Sequence, residues 1–249
     1  MGSVDLTVLG ASSRYLAPLG AGTSYLLRHK DTRLLLDCGN GTHMRLSEEL
    51  GQQKLSGVLV SHFHLDTVAD LLPVAFTLPP GAPLVVPRGA MPRLGDLLRA
   101  YSMDRSWIDH ARLLPVGRGD EHVIGGIKLS FAKAGHGCPG VVTRLVAEED
   151  GTTLVYLGDT GARPWLMDFA RGADLIVAHT LMLDRDEETA KETNLTAGAA
   201  GRLAREAGAG ALALSHVPFY GNAEESLVEA QAAFGGKTVV LHEGETIRI

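Results

Sequence analysis

Cysteine is scarce in this chain of 249 residues: only Cys38 and Cys138 occur. Two thiols cannot make a disulfide framework, so a reducing compartment, the cytoplasm, is the expected location. No uninterrupted apolar run approaches the ~18 residues of a membrane-spanning helix, and the opening MGSVDLTVLG lacks a basic region followed by an apolar core. Neither a membrane partner nor export is expected. Clustered positive charge is missing too. The 23 Lys and Arg are scattered and outnumbered by 29 Asp and Glu, for a net charge of -6, which argues against a nucleic-acid partner. No Ser/Gly linker, repeat or shift in composition divides the chain, so residues 1–249 are read as one domain. No Gly-x-Ser-x-Gly elbow supports a serine hydrolase. Gly235-Gly236-Lys237-Thr238 imitates the end of a phosphate-binding loop, but it runs from helix to strand and is set aside.

What is present is a large apolar fraction, 45%, enough for a sizeable core. Short strand candidates recur at 6–9, 24–27, 33–37, 58–61, 84–86, 127–131, 141–146, 153–157, 174–178, 211–215, 239–241 and 246–249. Helix candidates are 42–49, 67–76, 93–101, 164–170, 196–207 and 223–234, with Pro164 suited to a first turn and Gly208 to a stop. Strands with interspersed covering helices give an α/β class and fit a four-layer αββα sandwich.

The chemistry concentrates in SHFHLDTVAD, residues 61–70. The apolar run LSGVLV before it reads as a buried strand, and VADLLPVAF after it as a helix limited by Pro73. In an extended chain, side chains at i, i+2 and i+4 point the same way, so His62, His64 and Asp66 could converge on one metal ion. Four later places share one design, a strand ending in a metal-binding residue type and a turn: His136, Asp159, His179 and His216. Imidazole and carboxylate are the ligands expected for zinc, manganese or iron. One such histidine is ordinarily a hydrogen-bonded structural residue; the conjunction is what points to a metal site.

The order of these residues resembles the metallo-β-lactamase superfamily, in its ribonuclease Z and phosphoribosyl cyclic phosphodiesterase branch. The likeness runs nearly end to end, through LTVLGASS, AGTSYLLRHKDTRLLLDCGNGT, SHFHLDTVADLLPV, GHGCPGVVTRL, YLGDTG and NLTAGAAGRLAREAGAGALALSH. The resemblance implies an αββα sandwich with a metal site at one edge between the sheets. It implies that His62, His64 and His136 bind one metal ion and that Asp66, Asp159 and His216 bind a second, with Asp159 bridging. It implies a hydrolase in which metal-activated water attacks a carbonyl or phosphoryl centre.

Two departures qualify it. The family pattern His-x-His-x-Asp-His ends here in Thr67, a weak ligand compared with imidazole, which leaves a second site rich in oxygen. Zn2+, one or two ions, is therefore expected, with Mn2+ or Fe2+ admitted at the second site. His179 or a substrate oxygen could complete that site, although a histidine hydrogen-bonded in a loop is the preferred reading of His179. Where relatives carry a histidine before a helix, this chain has Asn194, which donates a hydrogen bond but cannot shuttle a proton. Asn194 could equally cap that helix. Asp66 and Asn194 are the candidate catalytic residues. Only 22 residues separate His136 from Asp159, too few for the protruding arm with which relatives grip tRNA.

A small-molecule ester, thioester, lactone or phosphodiester is the expected substrate. The alternatives are a catalytically degenerate metal- or ligand-binding protein and a ribonuclease Z-like phosphodiesterase, and a homodimer is compatible with the family. Asp70 is read as a capping or second-layer carboxylate, Cys138 as a small buried residue, and Arg88, Arg93, Arg99 and Arg105 as surface charge that could also cover the site mouth.

Overall fold

The computed structural model describes residues 3–12, 20–217 and 223–249. Ser13, the last residue of the LTVLGASS stretch, lies outside them. Two sheets of seven strands form the interior. The first holds β1 (Val4–Gly10), β2 (Ser24–His29), β3 (Thr32–Leu36), β4 (Gly57–Leu59), β5 (Pro83–Pro87) and β6 (Arg112–Val116), with β14 (Thr246–Arg248) beside β1. The second holds β7 (Glu121–Ile124), β8 (Ile127–Lys133), β9 (Val141–Ala147), β10 (Thr153–Tyr156), β11 (Leu175–His179), β12 (Ala211–Ser215) and β13 (Lys237–Val240) in spatial order. Each sheet opens as an antiparallel meander, β1 to β3 and β7 to β10. Each then continues as parallel strands, β3 to β6 and β10 to β13.

Parallel neighbours require crossovers, and helices supply them. In the first half these are α1 (Thr42–Leu50), α2 (Leu65–Val68), α3 (Leu71–Thr77) and α4 (Met91–Ala100). In the second they are α5 (Pro164–Ala170), α6 (Glu187–Ala190), α7 (Ala197–Ala207) and α8 (Ala223–Phe234). Thr196 Oγ1 accepts from the Ala199 N–H at the start of α7, and Gly208 ends it in a left-handed conformation (φ 65°).

The pleat sorts side chains between layers. Leu34 and Leu36 of β3 join Tyr156 and Val177 between the sheets, whereas Leu35 faces outward to Leu46, Leu71 and Leu94 of the helices. The second sheet packs Val155, Ile176 and Leu212 against Leu166, Ala200 and Ala204. Burying one such leucine is worth ~1.5–3 kcal/mol, so a one-residue slip, which exchanges the two faces, is strongly disfavoured. The result is the expected αββα sandwich. No helix among the described residues is long and apolar enough to cross a membrane.

Three local expectations need correction. The helix expected over 67–76 is two short ones, α2 and α3, broken at Ala69 and Asp70. Pro73 has no N–H to return to Ala69, and the 37–39 loop takes the groups freed by the break: Cys38 N–H donates to Thr67 O (2.8 Å) and Asp70 N–H to Cys38 O (2.9 Å). The strands β6 and β7 were not expected; both are sheet edges, one carrying a proline and the other half exposed and opening on two polar residues, so neither reads as an apolar inner strand. The third concerns Asp66, which lies not on extended chain but in the first turn of α2.

Candidate metal centre

All parallel strands that approach the site present their carboxyl ends to it, as open α/β sheets do at ligand sites. β3 delivers Asp37; β4 delivers Ser61 and His62; β10 delivers Asp159; β11 ends in His179; β12 ends in Ser215 and is followed by His216. Asp37 (φ 58°) and His216 (φ 56°) are held left-handed, which costs on the order of 1–3 kcal/mol each for a non-glycine residue and is characteristic of sites whose surroundings over-determine them.

The first donor set is His62, His64, His136 and Asp159. The three imidazole rings have centroids 4.8, 5.1 and 5.0 Å apart and interplanar angles of 83°, 73° and 72°. Hydrogen bonds fix which nitrogens face inward. His136 Nδ1–H donates to Thr193 O (2.7 Å), leaving its Nε2 lone pair 3.3 Å from His64 Nδ1 and 3.6 Å from Asp159 Oδ2. The Ser61 hydroxyl and N–H both donate to the Asp37 carboxylate (2.6 Å each). His62 Nδ1, 3.0 Å from that hydroxyl, must therefore carry the proton, and His62 Nε2 is left buried with no hydrogen-bond partner among the described residues. Burial is the main cause that lowers His62 to about 3, and it also lowers His64. Burial thus favours the neutral form of the His62 and His64 rings.

The second set is Asp159, His179 and His216, with Asp66 beside it. His179 and His216 stack at 3.9 Å and 24°. His179 Nδ1 lies 2.9 Å from Asp159 Oδ1, and His216 Nδ1 lies 3.3 Å from the same oxygen. His216 Nε2 bonds to Thr23 Oγ1 and is 3.5 Å from Asp66 Oδ2. Burial opposes charge on His216, but Asp159, Asp66 and Asp37 together raise its pKa. Burial likewise opposes charge on Asp159, yet His216 and His179 hold it well below the ordinary carboxylate range. Burial lowers His179 to about 4, so its ring is neutral and its Nδ1–H donates to Asp159.

The sequence-derived candidates are thus gathered, with unequal contacts. Asp66 reaches His216, not the His62 cluster. Thr67 is fully buried and turned away: its hydroxyl lies 2.9 Å from His62 O and 3.0 Å from His64 O, and it accepts from His64 N–H (3.3 Å). Asn194 is buried with Nδ2 unpartnered among the described residues, and it lines a cavity of about 270 Å³ with His64, Asp66, His136, Asp159 and His216. Thr196, not Asn194, caps α7. Asp70 Oδ2 accepts from His43 N–H at the start of α1 (3.0 Å), a capping role. Burial raises the Cys138 thiol. Of the four arginines, Arg88, Arg99 and Arg105 pair with Asp120, Asp96 and Asp109, and Arg93 is near enough to depress His64.

The donor chemistry fits a divalent ion. Imidazole nitrogens converge around one carboxylate, and the buried His62 Nε2 has no hydrogen-bond partner among the described residues. The fold agrees with that of YhfI of Bacillus subtilis, described as a metallo-β-lactamase fold protein, at a TM-score of 0.86 and 24% identity over 99% of each chain. The sequence matches the Beta-lactamase superfamily domain over residues 32–217. The chain belongs to the metallo-β-lactamase superfamily. It is 28% identical over 244 residues to the same B. subtilis protein, named "Probable metallo-hydrolase YhfI", covering 97% of this chain and 98% of that one. It is 29% identical to a ribonuclease Z of Mycobacterium bovis, covering 95% of both. A diphosphatase from the PhnP family has the same fold, with a TM-score of 0.75 and 17% identity over 99% of this chain and 97% of that one. Among members of the superfamily this chain is a metallo-hydrolase, with a His/Asp cluster suited to metal.

Residue patterns alone missed the support behind this metallo-β-lactamase site. Asp37 accepts from Ser61 and from the Tyr156 hydroxyl, which also lies 3.3 Å from His179 Nε2, so one buried carboxylate links both donor sets. Burial pushes Asp37 up to about 7 despite its donors. An acidic residue closing an apolar strand, as in LLLDCG, was the available signal.

Proposed function

We propose that this protein is a metal-dependent hydrolase of a small-molecule ester, thioester, lactone or phosphodiester. His62, His64 and His136 would hold a firmly bound zinc ion. Asp66, Asp159 and His216 would hold a second and weaker ion, Zn2+, Mn2+ or Fe2+, with Asp159 shared. The observation that carries this reading is His62 Nε2, a buried ring nitrogen with no hydrogen-bond partner among the described residues, facing the His64, His136 and Asp159 donors. Such an ion supplies a nucleophilic water near neutral pH and stabilises the negative charge that develops on the scissile group.

The chain's own groups do the rest. Thr193 O and Ser61 Oγ fix the tautomers of His136 and His62. Asp159 directs Oδ2 to the first set and Oδ1 to the second. Asn194 Nδ2, buried at the cavity wall, donates a hydrogen bond to an oxygen of the substrate and strengthens it as charge accumulates there. Asn194 itself cannot make the proton transfer that a histidine in its place would, which favours substrates with good leaving groups. The small cavity and net charge of -6 favour a small molecule over a polynucleotide, and two buried free thiols suit the cytoplasm.

Elemental mass spectrometry on protein purified without chelator, with hydrolysis of p-nitrophenyl esters and bis(p-nitrophenyl) phosphate before and after zinc reconstitution, tests the reading. One to two ions per chain and zinc-restored hydrolysis are expected. Metal binding with no hydrolysis on any panel would favour the second reading, a degenerate ligand-binding member, for which the wholly internal bonding of Thr67 is the motive.

A further inference from the structure

A larger groove, of about 730 Å³, shares His136 with the metal cavity and runs between β7, β8 and α5. Its volume is typical of a small-molecule site. Trp165 and Phe169 of α5 form an edge-to-face pair, with centroids 6.4 Å apart, in its wall, beside Ala132 of β8. The charges lining it are formally balanced but not equally free. Asp120 is paired with Arg88, Glu121 with Lys128 and Asp168 with Arg171. Arg163 is bound to the carbonyl and carboxylate of Glu192. Arg118 and Lys133 alone have no hydrogen-bonding or ionic side-chain partner among the described residues.

An apolar, aromatic-walled groove whose carboxylates are neutralised from outside and whose two free charges are positive is complementary to an aromatic anion. We propose that this groove binds the non-reacting part of the substrate, and that this part joins a flat or apolar moiety to an anionic group read by Arg118 and Lys133. The assignment rests on the hydrolase reading for the identity of the bound molecule, because His136 joins the groove to the donor cluster; the groove's charge selectivity does not need the metal.

The probe is 8-anilinonaphthalene-1-sulfonate, with uncharged N-phenyl-1-naphthylamine as its neutral counterpart, titrated by fluorescence in chelator and again after zinc reloading. One saturable site per chain is expected in both states. Arg118→Ala with Lys133→Ala should weaken the sulfonate about 10-fold and leave the neutral dye within about twofold, since each exposed charge contact is modest. Trp165→Ala should weaken both dyes, and Lys54→Ala, outside the groove, neither. Because Arg118 and Lys133 are exposed, their removal does not threaten folding. Absence of saturable binding, or equal loss of both dyes in the double variant, would overturn the proposal. On zinc-loaded protein the sulfonate should also inhibit bis(p-nitrophenyl) phosphate hydrolysis competitively, and non-competitive behaviour would detach the groove from the reaction. A protein that binds no metal but discriminates the dyes would sink the hydrolase reading and leave the groove's charge selectivity standing.

Discussion

His62 and His216 occupy equivalent places, each just beyond a parallel strand of its own sheet, and each faces Asp159. Their rings are treated in opposite ways. His62 is steadied from behind through Nδ1, and its inward Nε2 has no hydrogen-bond partner among the described residues. His216 has both nitrogens in use, Nδ1 toward Asp159 and Nε2 toward Thr23 and Asp66, with His179 stacked on its face. The first set leaves a buried imidazole nitrogen without a hydrogen bond among the described residues. The second already satisfies itself with protons, so an ion entering there must displace hydrogen bonds that an ion in the first set does not.

The contrast is broken most directly by removing one ring from each side. His62→Ala should abolish the tightly held ion and bring hydrolysis to background, whereas His216→Ala should keep about one ion per chain; elemental analysis of the two variants decides it. Equal metal loss in both would remove the distinction. Asn194→Ala should leave metal content unchanged and lower kcat roughly 100-fold, the scale for one donor to developing charge. A change confined to KM would mean that Asn194 binds the ground state alone.

Asp37 sharpens the comparison, because it supports His62 through Ser61 and touches the second set through Tyr156. Its pKa rises from an ordinary 3.8 to about 7 on folding. The folded state thus holds this proton more tightly than the unfolded one, so its contribution to stability is complete below about pH 4 and is lost as pH rises through about 7. Urea midpoints measured in chelator should fall across that window in the parent, and the fall should be shallower in Asp37→Asn. The smallest effect belongs to Thr67. Thr67→Val should cost ~1–2 kcal/mol through its lost bonds to the His62 and His64 backbone, while Thr67→Ser should stay within roughly 0.5 kcal/mol, both read by denaturant unfolding.

Much of this was legible in the sequence where a strand ends on a polar residue. The apolar runs before His62, Asp159, His179 and His216 announced strands, and the family order announced the sandwich. What stayed hidden depends on contacts between distant residues. That Asp66 enters a helical turn follows from Thr67 bonding back to His62 and His64, and from the 37–39 loop catching the broken helix. That Asp37 joins the two sheets requires Tyr156, 119 positions away. The edge strands β6 and β7 pack one face weakly and so leave little periodicity to read.

Asp159 sends one oxygen to each set, and a carboxylate shared between two ions would make the two sets a single thermodynamic device. Electron density drawn toward an ion on one side is no longer offered to the other, and by reciprocity the factor by which the first ion alters affinity for the second must equal the factor in the reverse order. Loading would then be a property of the pair, each ion's affinity depending on whether the other is bound.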